Sequence, residues 1–268
     1  MITIHFSGER TFSVHWCVVI TVLSFSLSTS NAWHILDSES INSYIRRIVD
    51  EFERNPEDRG YLNVINPPVK GAVKCDFFLP KLFIWSPQEQ FSECKITCPV
   101  RKCALIPKTF TSDTGKRDGM PRIISDLIGN ILLIQRIYKC NMRGHPHKIV
   151  ASSNDVLISL PNHVRCLFPF LMFTHSGCTK TLLDYINSNV VRGVNFAKIS
   201  ESMAELNFRH FCRCGMTFNS ALQGGWATGD SFIESEFYKD RLYSFPSGDH
   251  IMSIFMTHFD AKKRSTPK

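Results

Sequence analysis

The cluster Cys94, Cys98, Cys103 and Cys140 constrains this chain more than any other feature, because thiols gathered at turn spacings call for a metal ion or for disulfide partners. Cys98-Pro99-Val100-Arg101-Lys102-Cys103 is a tight turn with four residues between its thiols, wider than the usual two but within zinc-knuckle range. Cys140 is followed by Asn-Met-Arg-Gly and then His145-Pro146-His147, so Cys140 and His145 can form a second turn. Zinc favours four tetrahedral nitrogen or sulfur ligands presented by two such turns, which assigns Cys98, Cys103, Cys140 and His145 as the ligand set. Cys94 and His147 are the spares, and a Cys94 with Cys98 pairing that frees Cys103 is the alternative register. Four protein ligands leave no open position, so the expected zinc is structural and its contribution is folding energy. A disulfide or a set of free thiols is the competing reading of the same residues.

The surrounding pattern predicts an α+β fold: a small zinc-ribbon-like β-hairpin module followed by a helical region. Arg122 to Tyr138 reads RIISDLIGNILLIQRIY, two β-rich runs hinged at Gly129-Asn130, which is a hairpin signal. A knuckle, a hairpin and a second knuckle make the outline of a zinc ribbon. Before it, Phe77 to Trp85 is apolar, and Pro80 makes it an edge strand or an extended arm. Further upstream, Trp33 to Arg59 reads as an amphipathic helix, with Ile41, Ile45, Ile48, Val49 and Phe52 at helical spacing and Asn55-Pro56 ending it. Gly60 to Gly71, with a proline pair, reads as a linker.

After the ribbon the period turns helical. Asp155 to Leu160 forms a short helix closed by Pro161, and an apolar stretch from Val164 to Phe170 carries Pro169. Thr179 to Val191 places Leu182, Leu183, Ile186 and Val190 on one face with Thr179 as N-cap, and Gly193 breaks the helix. A second helix, capped by Asn195, runs to Leu206 and buries Phe196, Ile199, Met203 and Leu206. Two short helices joined at a glycine form a helix-turn-helix candidate; an ordinary helical hairpin fits the same residues. The end holds a glycine patch at Gln223 to Trp226, a helical stretch from Asp249 to Phe259, and the basic Lys262-Lys263-Arg264. The divisions expected are a leader over 1–32, helix and linker over 33–71, the ribbon over 72–150, the helical region over 151–215 and an extension over 216–268.

Charge adds a partner class. Lys and Arg outnumber Asp and Glu by 31 to 24, and the excess is local. Residues 33–59 hold four basic and seven acidic groups, whereas residues 70–150 hold fourteen and six. A basic segment that also carries metal-ligand residues fits a polyanion, with a solvated basic face as the blander reading. Arg101, Lys102, Arg122, Arg136, Lys139, Arg143 and Lys148 are the residues expected to meet phosphates, with no small-molecule substrate.

The ordered string CPVRKC, MPRIISDLIGNILLIQRIYKC, GHPHKIVASSNDVLISLPNHVRCLFPF and LLDYINSNVVRGVNFAKISESMAELNF resembles an uncharacterised zinc-ribbon-like family of transposon-derived proteins from animals and fungi. The similarity spans about residues 75–215. It implies a nuclear, DNA-contacting role, and it carries over Cys98, Cys103 and Cys140 more firmly than His145. Family members are often joined to a downstream nuclease or transposase domain. The chain ends at Lys268, near where that acidic catalytic strand is expected to begin, so the expectation is a truncated element without catalysis of its own.

Other residues point elsewhere or nowhere. Trp16 to Leu27 is an apolar run of signal-peptide length, preceded by Arg10 and followed by the small-residue site Ser30-Asn31-Ala32. Taken at face value it makes the protein secreted and disulfide-stabilised, although cleavage leaves nine cysteines and hence one unpaired. Thr174 to Cys178 gathers His, Ser and Cys without a nucleophile-elbow pattern. Cys212 and Cys214 sit too close for a knuckle, Cys75, Cys166 and Cys178 read as buried free thiols, and the Asp230 to Asp240 acids read as a solvated face. No nucleophile, base and orienting group assemble, which excludes an enzyme from the expected classes.

Overall fold

The computed structural model describes residues 38–54, 71–111, 121–140, 148–173, 177–231 and 247–265. The signal-like leader and most of the expected linker lie outside them, as do Arg143, His145, His147 and the Thr174-His175-Ser176 stretch.

One long strand organises the sheet. Asn130–Cys140, with the sequence NILLIQRIYKC, is buried without interruption from Ile131 to Arg136. Such an unbroken buried run marks a strand covered on both faces, where an alternating run would leave one face wet. Numbered in chain order, the strands are β1 (Ala72–Val73), β2 (Lys81–Trp85), β3 (Leu105–Phe110), β4 (Arg122–Ser125), the long β5, β6 (Lys148–Val150), β7 (Phe170–Met172), β8 (Gly177–Thr179) and β9 (Ala227–Thr228). The first half of β5 lies between β2, which runs parallel from Lys81↔Ile131 to Trp85↔Gln135, and β4, which runs antiparallel. Its second half pairs with β3 through Leu105↔Cys140 and with β6 through Lys139↔Lys148, both antiparallel. Strands β8 and β7 extend the sheet beyond β4, and β1 with β9 forms a separate parallel pair.

The hairpin expected at Gly129-Asn130 exists: Ser125 faces Asn130, and Asp126 donates its N–H to the carbonyl of Gly129. Its loop is anchored by side chains distant in sequence. Asn207 accepts from the Gly129 N–H and donates to the carbonyl of Met203, while Asp126 accepts from the Thr179 hydroxyl at 2.7 Å and pairs with Lys81 at 3.2 Å. The expected apolar arm divides at Pro80. Its second part becomes β2 at the end of the sheet, while Phe77 and Phe78 enter a 3-10 turn, Lys74–Phe78.

Seven α-helices are assigned among the described residues: α1 (Ser38–Arg54), α2 (Pro87–Gln90), α3 (Asn154–Ser159), α4 (Asn162–Cys166), α5 (Lys180–Val191), α6 (Phe196–Gln223) and α7 (Gly248–Ser265). Helix α1 buries Tyr44, Ile45, Ile48, Val49 and Phe52 against Leu82, Ile84, Leu132 and Ile134 of β2 and β5, as its period predicts. The Ile41 side chain lies outside the described residues. The opposite core gathers Phe83, Trp85, Ile131, Leu133 and Tyr138 with Phe168 and Phe170. Each large side chain so buried contributes about 1.5–3 kcal/mol.

Both helix caps read from the sequence form: the Thr179 hydroxyl accepts the Leu182 N–H at 3.0 Å, and the Asn195 side chain accepts the Lys198 N–H at 2.9 Å. Gly193 takes a positive φ of 78°, which ends α5 where a side chain would be strained. The second helix differs from expectation, since α6 continues from Phe196 through Leu206 to Gln223. Phe211, Gly215 and Phe218 are buried on it, and Phe211 and Phe218 pack on Phe78 and Phe77 of the 3-10 turn. That packing holds the helix past Gly215, where propensity alone favours a stop. Helix α7 then joins α5 and α6, placing Ile251 and Ile254 beside Leu182, Ile186, Ile199 and Met203. The fold is therefore mixed α+β: a curled sheet with α1 on one face and a helical cluster beside it.

Candidate metal centre

The chain reaches its thiol cluster by two routes. The first is the turn 98–103, where Lys102 donates its N–H to the Cys98 carbonyl and Cys98 donates to the Cys103 carbonyl, each at 2.8 Å. Closing this turn puts Lys102 at a positive φ of 55°, a conformation that costs a non-glycine residue about 1 kcal/mol or more. The chain leaves through the Thr97↔Ala104 bridge into β3. The second route is β5, whose last residue, Cys140, lies opposite Leu105 at the start of β3. Antiparallel pairing between β3 and β5 thus sets the turn and the strand end side by side.

The result is three sulfurs, of Cys98, Cys103 and Cys140, all within 4.8 Å of one another. Cys98 and Cys140 are buried and Cys103 is half-buried. Cys103 Sγ lies 3.3 Å from Cys140 Sγ, beyond a disulfide bond of about 2.05 Å. Tetrahedral zinc, with zinc to sulfur distances of about 2.3 Å, needs sulfurs about 3.8 Å apart, and the cluster brackets that value. The hydrogen bond to Cys140 pushes the Cys103 thiol up, and burial and the neighbouring thiols add to it. Three thiolates this close repel one another, and a divalent cation removes that repulsion and the protons together.

Cys94 is buried, its N–H donates to the Phe91 carbonyl, and its sulfur is not part of the cluster; burial, then Glu93, pushes its thiol up. The alternative register through Cys94 is therefore not assembled. His145 and His147 lie outside the described residues. Elsewhere, Cys178 is buried as its apolar setting predicts, Cys166 is exposed, and Cys212 and Cys214 lie along α6. None of the eight cysteines with described side chains is in a disulfide.

The basic residues separate into three groups. Arg101, Lys102, Lys139 and Lys148 are exposed, the first two in the knuckle turn and the last two opposite each other on β5 and β6. Arg122 is half-buried and donates to the Phe173 carbonyl at 3.3 Å, with burial lowering its pKa. Arg136 is the correction. It is buried, grips both carboxylate oxygens of Glu89, bonds Glu53 at 3.2 Å and the Lys108 carbonyl at 2.9 Å, and stacks over the Phe110 ring at 3.7 Å. Four of its five N–H donors meet protein acceptors and the side chain is buried, so Arg136 is withdrawn from phosphate contact. Charge counting could not show this, because the partners lie on α1 and α2, far away in sequence. Lys108, exposed on β3, is a further basic residue of this segment that the expected set lacks, and the burial of LIPKTF does not alternate regularly enough to mark it. Compared with models of known families, with curated proteins and with solved structures, the chain matches none.

Proposed function

We propose that Cys98, Cys103 and Cys140, with His145 as fourth ligand, hold a structural zinc ion, and that the ribbon so fixed contacts DNA without catalysis of its own. The observation that carries this reading is the convergence of three thiols within 4.8 Å at the ends of paired strands. A closed set of three sulfurs and one nitrogen suits zinc, whose bound form stabilises the fold. The antiparallel run β3, β5, β6, entered from one turn and continued beyond Cys140, is the ribbon of this reading. DNA is the partner because exposed Arg101, Lys102, Lys139 and Lys148 surround this module, and it is the role that the resemblance over residues 75–215 implies. A nuclear location goes with it.

The test is binding of a short DNA duplex by the full chain, followed by fluorescence anisotropy as salt is raised, before and after chelation. Four phosphate contacts predict a slope of log affinity on log salt of about −3.6, with binding lost on chelation and restored by zinc. Binding that is absent, insensitive to salt or indifferent to chelation overturns the reading. One contact favours a second reading: Cys103 and Cys140, 3.3 Å apart, are placed to form a disulfide in a secreted protein. In that case the protein holds no zinc and loses two thiols.

A further inference from the structure

Resting on the DNA reading above, we infer that the contact surface is the outer face of the β3–β5–β6 ribbon, and that it grips the backbone of duplex DNA irrespective of sequence. The strand register puts Ile106, Lys139 and Lys148 in one row across three strands. All three are exposed, whereas their neighbours Leu105, Tyr138, Cys140 and Ile149 point into the core. Two residues further along, Ile137 pairs with Val150, both half-buried, and Lys108 is exposed beside them where β3 bulges. The face is thus a short aliphatic ridge with three lysines around it.

Charge selects the occupant. The three strands, LIPKTF, NILLIQRIYKC and KIV, contain no acidic residue. Glu53 and Glu89 pair with Arg136, which offsets one of their two negative charges. A surface with only positive side chains and a water-shedding centre complements a polyanion. Side-chain type then selects the kind of polyanion. Single strands are held by bases stacking on aromatic rings, and this face presents none, since Tyr138 is fully buried. Lysines act as mobile point charges rather than base-reading forks, so the contact goes to phosphates and carries no sequence preference.

The test compares the wild-type full chain with the triple variant Lys108→Gln, Lys139→Gln, Lys148→Gln, after confirming equal zinc content and equal thermal midpoint. Each is titrated against a mixed-sequence duplex, the single strand of the same sequence and poly-glutamate, at about 50 to 200 mM salt. Losing three phosphate contacts lowers the salt slope by about 2.7, so a fourfold rise in salt costs the wild type about 40-fold more affinity than it costs the variant. The duplex is expected to bind at least as tightly as the single strand. If the variant keeps the wild-type slope while the wild type binds duplex, the face is wrong and the DNA reading survives. No duplex binding by the wild type sinks both. Preference for the single strand or for poly-glutamate overturns the assignment of partner.

Discussion

Replacing Arg136 with alanine is expected to destabilise the protein by about 3 kcal/mol while leaving zinc content and the salt slope of DNA binding unchanged. The Arg136 side chain is only 7% exposed, against 27% for Glu89 and 50% for Glu53. Breaking a buried pair by removing one partner costs about 3–5 kcal/mol, because a charge is left uncompensated. Partial exposure of both glutamates lets water solvate them, which places the expectation at the low end. The loss also frees the Lys108 carbonyl and removes the guanidinium from Phe110, so the clasp joining α1, α2, β3 and β5 opens. For a chain of this size the thermal midpoint falls by about 6–12 °C. Urea unfolding of the full chain measures the cost directly. A double variant, Arg136→Met with Glu89→Gln, leaves no uncompensated charge on Glu89 and is expected to recover most of the loss. A cost below about 1 kcal/mol, or a double variant as unstable as the sum of its parts, refutes the argument. A fall in the salt slope of the folded variant refutes the claim that Arg136 is withdrawn from DNA.

Thr179→Ala removes both the cap on the Leu182 N–H and the bond to Asp126, and at this buried position the expected cost is about 1–2 kcal/mol in urea unfolding. Thr179→Ser keeps both bonds and is expected to cost less than half as much. Cys178, whose thiol burial pushes up to about 12, is expected to resist alkylation in the folded protein at mildly alkaline pH while the exposed Cys166 reacts; equal rates contradict its burial. The sign of its linkage follows: above the ordinary value near 9 the unfolded chain binds fewer protons than the folded one. Its stabilising contribution is therefore complete below that pH and is lost as pH rises from there toward about 12, a loss that Cys178→Ala is expected to abolish.

Local chemistry was legible in the sequence wherever it acts over a few residues. Thr179 and Asn195 as caps, Gly193 as a break and the α1 face of Ile45, Ile48, Val49 and Phe52 depend on neighbours along the chain, and each forms as read. The convergence of Cys98, Cys103 and Cys140 was legible too, because turn spacing and a strand end bring the thiols together. What was not legible depends on contacts far apart in sequence. Helix α6 runs past Leu206 because Phe77 and Phe78, far away in sequence, pack on it, and no pattern within the helix announces them. In sequence Arg136 is one more base in a positive segment, and only the fold sets Glu53 and Glu89 around it. The β4–β5 hairpin was recognised, but its turn lies at the far end of β5 from Cys140; the strand beside that thiol is β3. Pairing partners of a strand are set by tertiary packing, which composition does not encode.

The central claim is a zinc ion held by Cys98, Cys103 and Cys140. Its most direct test is the zinc-to-protein ratio of the purified full chain, with a count of reactive thiols under denaturing conditions, repeated for Cys98→Ser, Cys103→Ser and Cys140→Ser. One equivalent of zinc, with cysteines reduced and the metal lost in each variant, is the predicted result. A metal-free protein in which Cys103 and Cys140 are oxidised to each other contradicts it.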